Sequence, residues 1–222
     1  MVSKIRYIFL ALSGMMIFIT AFSVPGGAGI DGTNLDASYP LVLEDASARG
    51  AVYGTDIIYT HGPLGHLFHQ QGLGGFKTQR LFYAILQAAF AAYVSCAVLA
   101  RLPLPVAMAL SAWLIVYPPT LTLLGAGVAV ILLQPPPLPW LKRAESYILP
   151  SIYGLCGMAK FTEIMSGIVV FGGVTAVWAY RRRLRDGVLP MAVFLTISLG
   201  AWLAMGQPLD RLPAYFTRVL CS

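Results

Sequence analysis

Charge is scarce in this sequence. Lys, Arg, Asp and Glu together make up 11% of the 222 residues, whereas a soluble domain carries about 25%. Hydrophobic residues account for 58% of the chain, and the mean hydropathy is +0.74. This composition excludes an ordinary soluble domain, and we expect most of the chain to lie in a lipid bilayer.

Cysteine is also sparse, and the familiar cofactor motifs are absent. The three cysteines lack metal-type spacing, and two lie within apolar runs, so neither a disulfide framework nor a zinc site is indicated. The sequence has no P-loop, dinucleotide fingerprint or serine-nucleophile elbow. The basic residues behind the net charge of +6 lie at the ends of apolar runs, so nucleic acid is not the predicted partner.

The apolar runs predict an all-α fold in which residues 1–222 form a single polytopic bundle of transmembrane helices. A first helix is predicted in 1–24 and a tail in 206–222. Six more segments are predicted in 81–205, near Leu81–Ala100, Leu102–Tyr117, Thr120–Leu133, Tyr147–Ala159, Ile164–Tyr180 and Val188–Met205. Several are shorter than the roughly 20 residues of a spanning helix, and prolines interrupt the middle third. The count is therefore seven, or five if two pairs are re-entrant hairpins.

The distribution of basic residues predicts the orientation. With a cytoplasmic N-terminus, nine Lys and Arg residues fall on the inner side and six on the outer side, as the positive-inside rule requires. The RRRLR run at 181–185 supplies much of this excess. Residues 25–80 are then an extracytoplasmic loop, and we expect a bacterial inner membrane protein.

The loop at 25–80 concentrates negative charge, since five of the nine acidic residues lie in it. Its "SYPLVLEDASARG" stretch predicts a short interfacial helix at 39–49, with Pro40 in the first turn and Gly50 closing the C-terminal end. Asp36 would then stand outside the helix at the membrane surface. A carboxylate there suits a general base. The alternative is that Asp31 and Asp36 are solvated loop carboxylates.

Three stretches carry a resemblance to a known superfamily. The first is Asp36 and Ser38-Tyr39 followed by "YGTDIIYTHGPLG", the second is "YGLCGMAKFTEIMSGIVVF" at 153–171, and the third is "GQPLDRLPAYFTR" at 206–218. In this order they resemble the polytopic GT-C glycosyltransferases, which include protein O-mannosyltransferases and lipid A aminoarabinose transferases. The third stretch is also similar to a loop in uncharacterised bacterial membrane proteins. Such enzymes are longer, and the resemblance covers their N-terminal half.

The resemblance implies transfer of a sugar from a polyprenyl-phosphate donor to an acceptor at the extracytoplasmic face. Asp36 would be the catalytic base, with Asp31 the second candidate. Lys160 would bind the donor phosphate, because a cation near the bilayer needs a partner; pairing with Glu163 is the alternative. The other implied substrate-binding residues are Tyr39, His61, Arg211 and Arg218, of which the two arginines also fit plain surface charges.

Several other interpretations remain open at the level of sequence. A divalent cation is conceivable beside His61, His66 and His69, although no metal motif is present. A non-catalytic subunit or a truncated, degenerate fragment is the main alternative function. A transporter is weaker, because paired broken helices in two related halves are not apparent. Membrane lipid is an expected partner, and no protein partner is identified.

Overall fold

A computed structural model describes residues 2–22, 35–57, 61–68, 76–117, 119–134 and 139–220. Helices account for most of these residues, which include isolated bridges but no strand, so the predicted all-α fold is confirmed. In chain order the helices are α1 (Val2–Ala21), α2 (Leu35–Ala48), α3 (Gly65–Phe68), α4 (Lys77–Leu99), α5 (Leu104–Val116), α6 (Leu121–Leu133), α7 (Pro139–Gly157), α8 (Phe161–Tyr180), α9 (Leu184–Ala204) and α10 (Leu212–Leu220).

The chain is an integral membrane protein. Four of the described helices are long and apolar enough to cross a bilayer, namely α1, α4, α8 and α9. The apolar helices α5 and α6 have 13 residues each, about 20 Å, which is less than a hydrocarbon core of about 30 Å. Helix α7 has 19 residues, but Lys142, Arg143 and Glu145 lie in its first half. The predicted segment Tyr147–Ala159 covers only the apolar part of that helix.

Contacts between helix termini divide the bundle into two ends. At one end, Arg6 of α1 donates hydrogen bonds to the carbonyl oxygens of Ala100 and Leu102, both at 2.7 Å. Arg181, after α8, donates to the carbonyl oxygen of Leu133 at 3.1 Å. We call this the arginine end. The opposite, loop end carries α2, residues 51–57 and 61–65, the α7–α8 junction and α10. Helices α1 and α4 to α9 run alternately between the two ends.

Aromatic packing holds the larger core together. The Tyr153 ring of α7 is fully buried, and its centroid lies 6.3 Å from Phe90, 5.7 Å from Phe171 and 6.3 Å from Phe194. Gly167 allows this packing, because a Cβ there would lie 2.5 Å from the Phe194 ring. One side chain from α7 therefore joins α4, α8 and α9.

Helix α2 corrects the predicted boundaries at its start. It begins at Leu35, so Asp36 lies inside its first turn and Pro40 in its second. The helix dipole favours an acidic residue in the first turn, and Pro40 removes only one backbone hydrogen bond there. The predicted C-terminal end is confirmed. Gly50 has a φ of 67°, and the Ala51 N–H bonds to the Ala46 carbonyl at 2.9 Å, as in a Schellman cap.

Two further stretches of the loop end have local structure that the sequence pattern did not indicate. In residues 51–57, the Val52 carbonyl accepts backbone hydrogen bonds from Thr55 and Asp56 in a tight turn. The tail at 206–222 contains a 3-10 turn at Leu209–Arg211 followed by α10. That helix forms because Tyr215 is fully buried, and burial of a large aromatic ring stabilises a short helix that has little stability alone.

Candidate functional site

The "HGPLG" stretch docks on the α7–α8 junction. His61 forms an antiparallel bridge with Lys160. The Gly62 N–H donates to the Ala159 carbonyl at 3.1 Å, and the Leu64 N–H donates to the Met158 carbonyl at 3.3 Å. Two of the three stretches that carry the family resemblance therefore meet through backbone hydrogen bonds, although 93 residues lie between Leu64 and Met158 in the sequence.

Only glycine fits at position 62. A Cβ there would lie 2.3 Å from the Met158 carbonyl oxygen, well inside van der Waals contact. The obstructing atom belongs to the backbone of the α7–α8 junction and cannot rotate away. Gly62-Pro63 also begins a tight turn, which the Gly65 N–H closes by donating to the Gly62 carbonyl at 2.8 Å.

The third resembling stretch meets the same loop through Gln207. Its side-chain oxygen accepts a hydrogen bond from the Tyr53 N–H at 2.9 Å, and its nitrogen donates to the Ala51 carbonyl at 3.0 Å. Gly54, with a φ of 82°, lies directly against Tyr215, since a Cβ would sit 2.6 Å from the Tyr215 nitrogen. Burial raises the pKa of Tyr53 to about 12, so its phenol keeps its proton.

A buried ion pair joins α2 to α4. Glu44 bonds to Arg80, and both side chains are 3% exposed. Arg80 also donates from Nε to the His66 carbonyl at 2.9 Å. The charged Glu44 is thus buried while the apolar Val42 of the same helix is 53% exposed, because the buried arginine requires a carboxylate partner.

His66 is part of this network. Its Nδ1 lies 3.1 Å from the Pro63 carbonyl oxygen, and its ring is 2% exposed. Burial lowers the pKa of His66 to about 4, although the Pro63 hydrogen bond acts in the opposite direction. The ring is therefore neutral at pH 7, with Nδ1–H as the donor.

Lys160 faces a cavity of about 300 Å³ at the loop end. The cavity has four polar lining residues and an apolar wall made by Ala21, Phe90, Ala91, Pro119, Leu121 and Leu124; the polar residues are Gln87, Thr120, Lys160 and Glu163. Lys160 and Glu163 are half-buried and Thr120 is exposed. The cavity thus brings a cation, a carboxylate and an amide together between helices of a membrane bundle.

The relation between Lys160 and Glu163 differs from the predicted helical pair. Lys160 has an extended backbone and precedes α8, whereas Glu163 lies in its first turn. Thr122 of α6 donates a hydrogen bond to Glu163 Oε2 at 2.9 Å. In the described part of the chain, no ion pair within 4.0 Å joins Lys160 to Glu163. Lys160 and Glu163 thus line the same cavity without a direct ion pair between them.

A second cavity of about 230 Å³ adjoins the first and is almost entirely apolar. It lies between α4, α5 and α6, where its walls include Val94, Leu110 and Trp113. Pro119 and Leu124 line both cavities. A polar cavity at the bundle end therefore adjoins an apolar cavity along the helices.

The structure brings only some of the predicted site residues together. Lys160 lines the cavity, and the buried His61 supports it through the backbone bridge. Arg211 and Arg218 are exposed and do not line it, and Arg211 lies 3.4 Å from Asp210. Short surface helices place these arginines in solvent, and their predicted role in substrate binding stays a prediction.

Several of the remaining predicted site residues lie outside the part of the chain that the structure describes. Asp31 and His69 lie outside the described residues, as do the side chains of Asp36 and Tyr39. Within the described ranges, no three His, Cys, Asp or Glu side chains are grouped to hold a metal ion. The predictions for Asp36, Asp31, Tyr39 and a divalent cation therefore stay predictions.

Sequence reasoning missed Gln87, Thr122 and Gln207. Gln87 had a readable signal, because a lone amide in the middle of the apolar α4 run is costly unless it has a partner or a polar cavity. Thr122 and Gln207 had none, since their partners are 41 and 154 or 156 residues away.

Comparison with known proteins gives no further guide: no family model, curated protein or solved structure matches the chain.

Proposed function

We propose that this protein is a membrane glycosyltransferase of the GT-C type. It binds a polyprenyl-phosphate-linked sugar at the loop end and transfers the sugar to an acceptor at the extracytoplasmic face. The observation that supports this function is that the Lys160 cavity adjoins the apolar cavity between α4, α5 and α6, with Pro119 and Leu124 lining both. Two such adjoining spaces suit an amphiphile with an anionic head.

In this proposal Lys160 binds the donor phosphate. An ammonium near the hydrocarbon core is costly without an anionic partner, and a charge-assisted hydrogen bond to phosphate supplies one. The isoprenoid chain lies along Val94, Leu110 and Trp113, where apolar walls need no polar ligand. The docked "HGPLG" turn holds Lys160 in position through the bridge from His61.

Two carboxylates are candidates for the base that accepts the proton of the acceptor hydroxyl. Asp36, in the first turn of α2, is the candidate from the family resemblance. Glu163 is the carboxylate in the cavity itself, where Thr122 holds one of its oxygens. A general base must lie within hydrogen-bond reach of the proton it removes. Asp36→Asn and Glu163→Gln variants separate the two candidates by which one loses transfer while still binding donor.

The first experiment measures lipid binding. The purified full chain is titrated with undecaprenyl phosphate and, as the neutral counterpart, undecaprenol. We expect Lys160→Met to weaken binding of the phosphate lipid by about tenfold or more, because a hydrogen bond to a charged group is lost. Lys77→Met is the matched control, since Lys77 is an exposed lysine at the same end. Unchanged affinity in Lys160→Met would exclude Lys160 as the phosphate ligand.

The second experiment measures transfer. The chain is incubated with a panel of undecaprenyl-phosphate sugars and hydroxyl acceptors, and release of undecaprenyl phosphate is followed. Release that depends on Lys160 and on one of the two carboxylates is the expected result. Binding without release from any donor would instead identify a non-catalytic lipid-binding subunit, which is the second candidate function.

A further inference from the structure

The turn between α8 and α9 concentrates positive charge. Arg181, Arg182, Arg183 and Arg185 form what we call the arginine turn, and all four are exposed. Two of them have protein partners: Arg181 donates to the Leu133 carbonyl, and Arg183 lies 3.3 Å from Asp186. Within the described residues, the guanidinium groups of Arg182 and Arg185 have no side-chain partner. The positive charges of Arg182 and Arg185 are therefore exposed at the surface.

Charge at the arginine end is not balanced by acidic residues. Among the described side chains, eight basic groups at this end face two acidic ones: Lys4, Arg6, Arg101, Arg143 and the arginine turn against Glu145 and Asp186. At the loop end six basic groups accompany five acidic ones, and Arg49, Arg80 and Arg211 each lie beside a carboxylate. Among the described side chains, most of the net positive charge therefore lies at the arginine end.

Apolar and aromatic side chains adjoin the arginine turn. Tyr180 is 91% exposed, and Leu184 and Val188, one turn apart on α9, are 54% and 46% exposed. The guanidinium carbons of Arg181 and Arg183 lie 5.4 and 5.5 Å from the centre of the Trp178 ring. Tyrosine, tryptophan and arginine together are typical of the level where acyl chains meet headgroups.

We propose that the arginine turn is a binding site for the phosphate of an anionic phospholipid. Arg182 and Arg185 contact the headgroup, and Tyr180, Leu184 and Val188 contact the acyl chains. A soluble anion would contact only the charges, whereas a phospholipid would also contact these apolar side chains. A phospholipid matches both features, and the attraction is strongest in a leaflet rich in anionic lipid.

The test uses the full chain in a neutral detergent, titrated with palmitoyl-oleoyl phosphatidylglycerol or the matching phosphatidylcholine and followed by native mass spectrometry. We expect the anionic lipid to bind at least about tenfold more tightly. The R182Q/R185Q variant should lose about 25-fold of that affinity, roughly fivefold for each arginine. It leaves the Leu133 and Asp186 contacts of the turn in place, so the fold is preserved.

The R49Q/K77Q variant is the matched control, because it removes two exposed charges at the loop end. Its affinity for phosphatidylglycerol should stay within about twofold of the unmodified chain. Equal binding of the two lipids, or equal loss in both variants, would overturn the proposal. So would displacement of phosphatidylglycerol by inorganic phosphate but not by chloride at the same ionic strength, since the ligand would then be a free anion.

Discussion

His66 illustrates how a single buried residue couples this protein to pH. The folded state holds the ring neutral with a pKa of about 4, whereas the unfolded chain has the ordinary value of about 6.5. Between these values the unfolded state binds more protons, so stability is complete above pH 6.5 and falls as the pH falls towards 4. The His66 carbonyl accepts a hydrogen bond from Arg80, which forms the ion pair between α2 and α4. Protonation of the His66 ring should therefore destabilise the loop end.

We expect the free energy of unfolding to drop by about 1 kcal/mol between pH 7.5 and 5.5, and by about 3 kcal/mol at pH 4, from His66 alone. Thermal unfolding in detergent across this range measures the effect. The comparison is with His66→Gln, whose side chain does not titrate. If both proteins lose stability with the same pH slope, His66 is not the group responsible.

At the scale of elements, the site depends on how a loop docks on a helix junction. Three backbone contacts join His61, Gly62 and Leu64 to residues 158–160, and Gln207 ties the preceding turn to the end of α9. No catalytic motif in the sequence encodes this docking. It forms because the loop has no regular structure of its own, so its buried backbone N–H and C=O groups must form hydrogen bonds with the neighbouring α7–α8 junction.

Gly62→Ala should disrupt this docking. Because the new Cβ would lie 2.3 Å from the Met158 oxygen, the loop or the junction must shift, at a cost of about 1–3 kcal/mol. A lower melting temperature in detergent and weaker binding of undecaprenyl phosphate are expected together. Gly172→Ala in α8 is the control, since nothing lies within 4 Å of its Cβ and alanine favours a helix. Equal melting temperatures for the two variants would show that the close approach does not constrain the loop.

At the scale of the whole molecule, the uneven charge of the two ends predicts how the bundle lies in the membrane. Cations are retained on the cytoplasmic side, so the arginine end should face the cytoplasm and the loop end the outside. The proposed transfer site would then open on the extracytoplasmic face.

Cysteine labelling checks this orientation. In a variant without the native cysteines, a cysteine replaces either Asp210, whose side chain is 73% exposed, or Arg182. A membrane-impermeant maleimide added to intact cells should label the first and spare the second, and permeabilised cells should allow both reactions. The reverse pattern would place the loop end in the cytoplasm and contradict the proposed function.

Much of the fold was predictable from local pattern. The apolar runs gave the seven helices of the bundle within a few residues, except for the polar start of α7, and Gly50 marked the end of α2. The predicted start of α2 was four residues too late, because Pro40 was expected in the first turn and Asp36 outside the helix. The sequence drew attention to Lys160 through its cost in a membrane, whereas charge alone does not show that Arg211 and Arg218 face solvent and not the cavity.

The sequence by itself determined that this is a helical membrane protein with uneven charge at its two ends, since hydropathy and charge act residue by residue along the chain. Only the tertiary structure decided that "HGPLG" rests on the Lys160 junction, that Glu44 is buried with Arg80, and that a polar cavity adjoins an apolar one. These features depend on contacts between residues far apart in the chain, and packing between helices sets such contacts through shape and hydrogen bonding that no local pattern records.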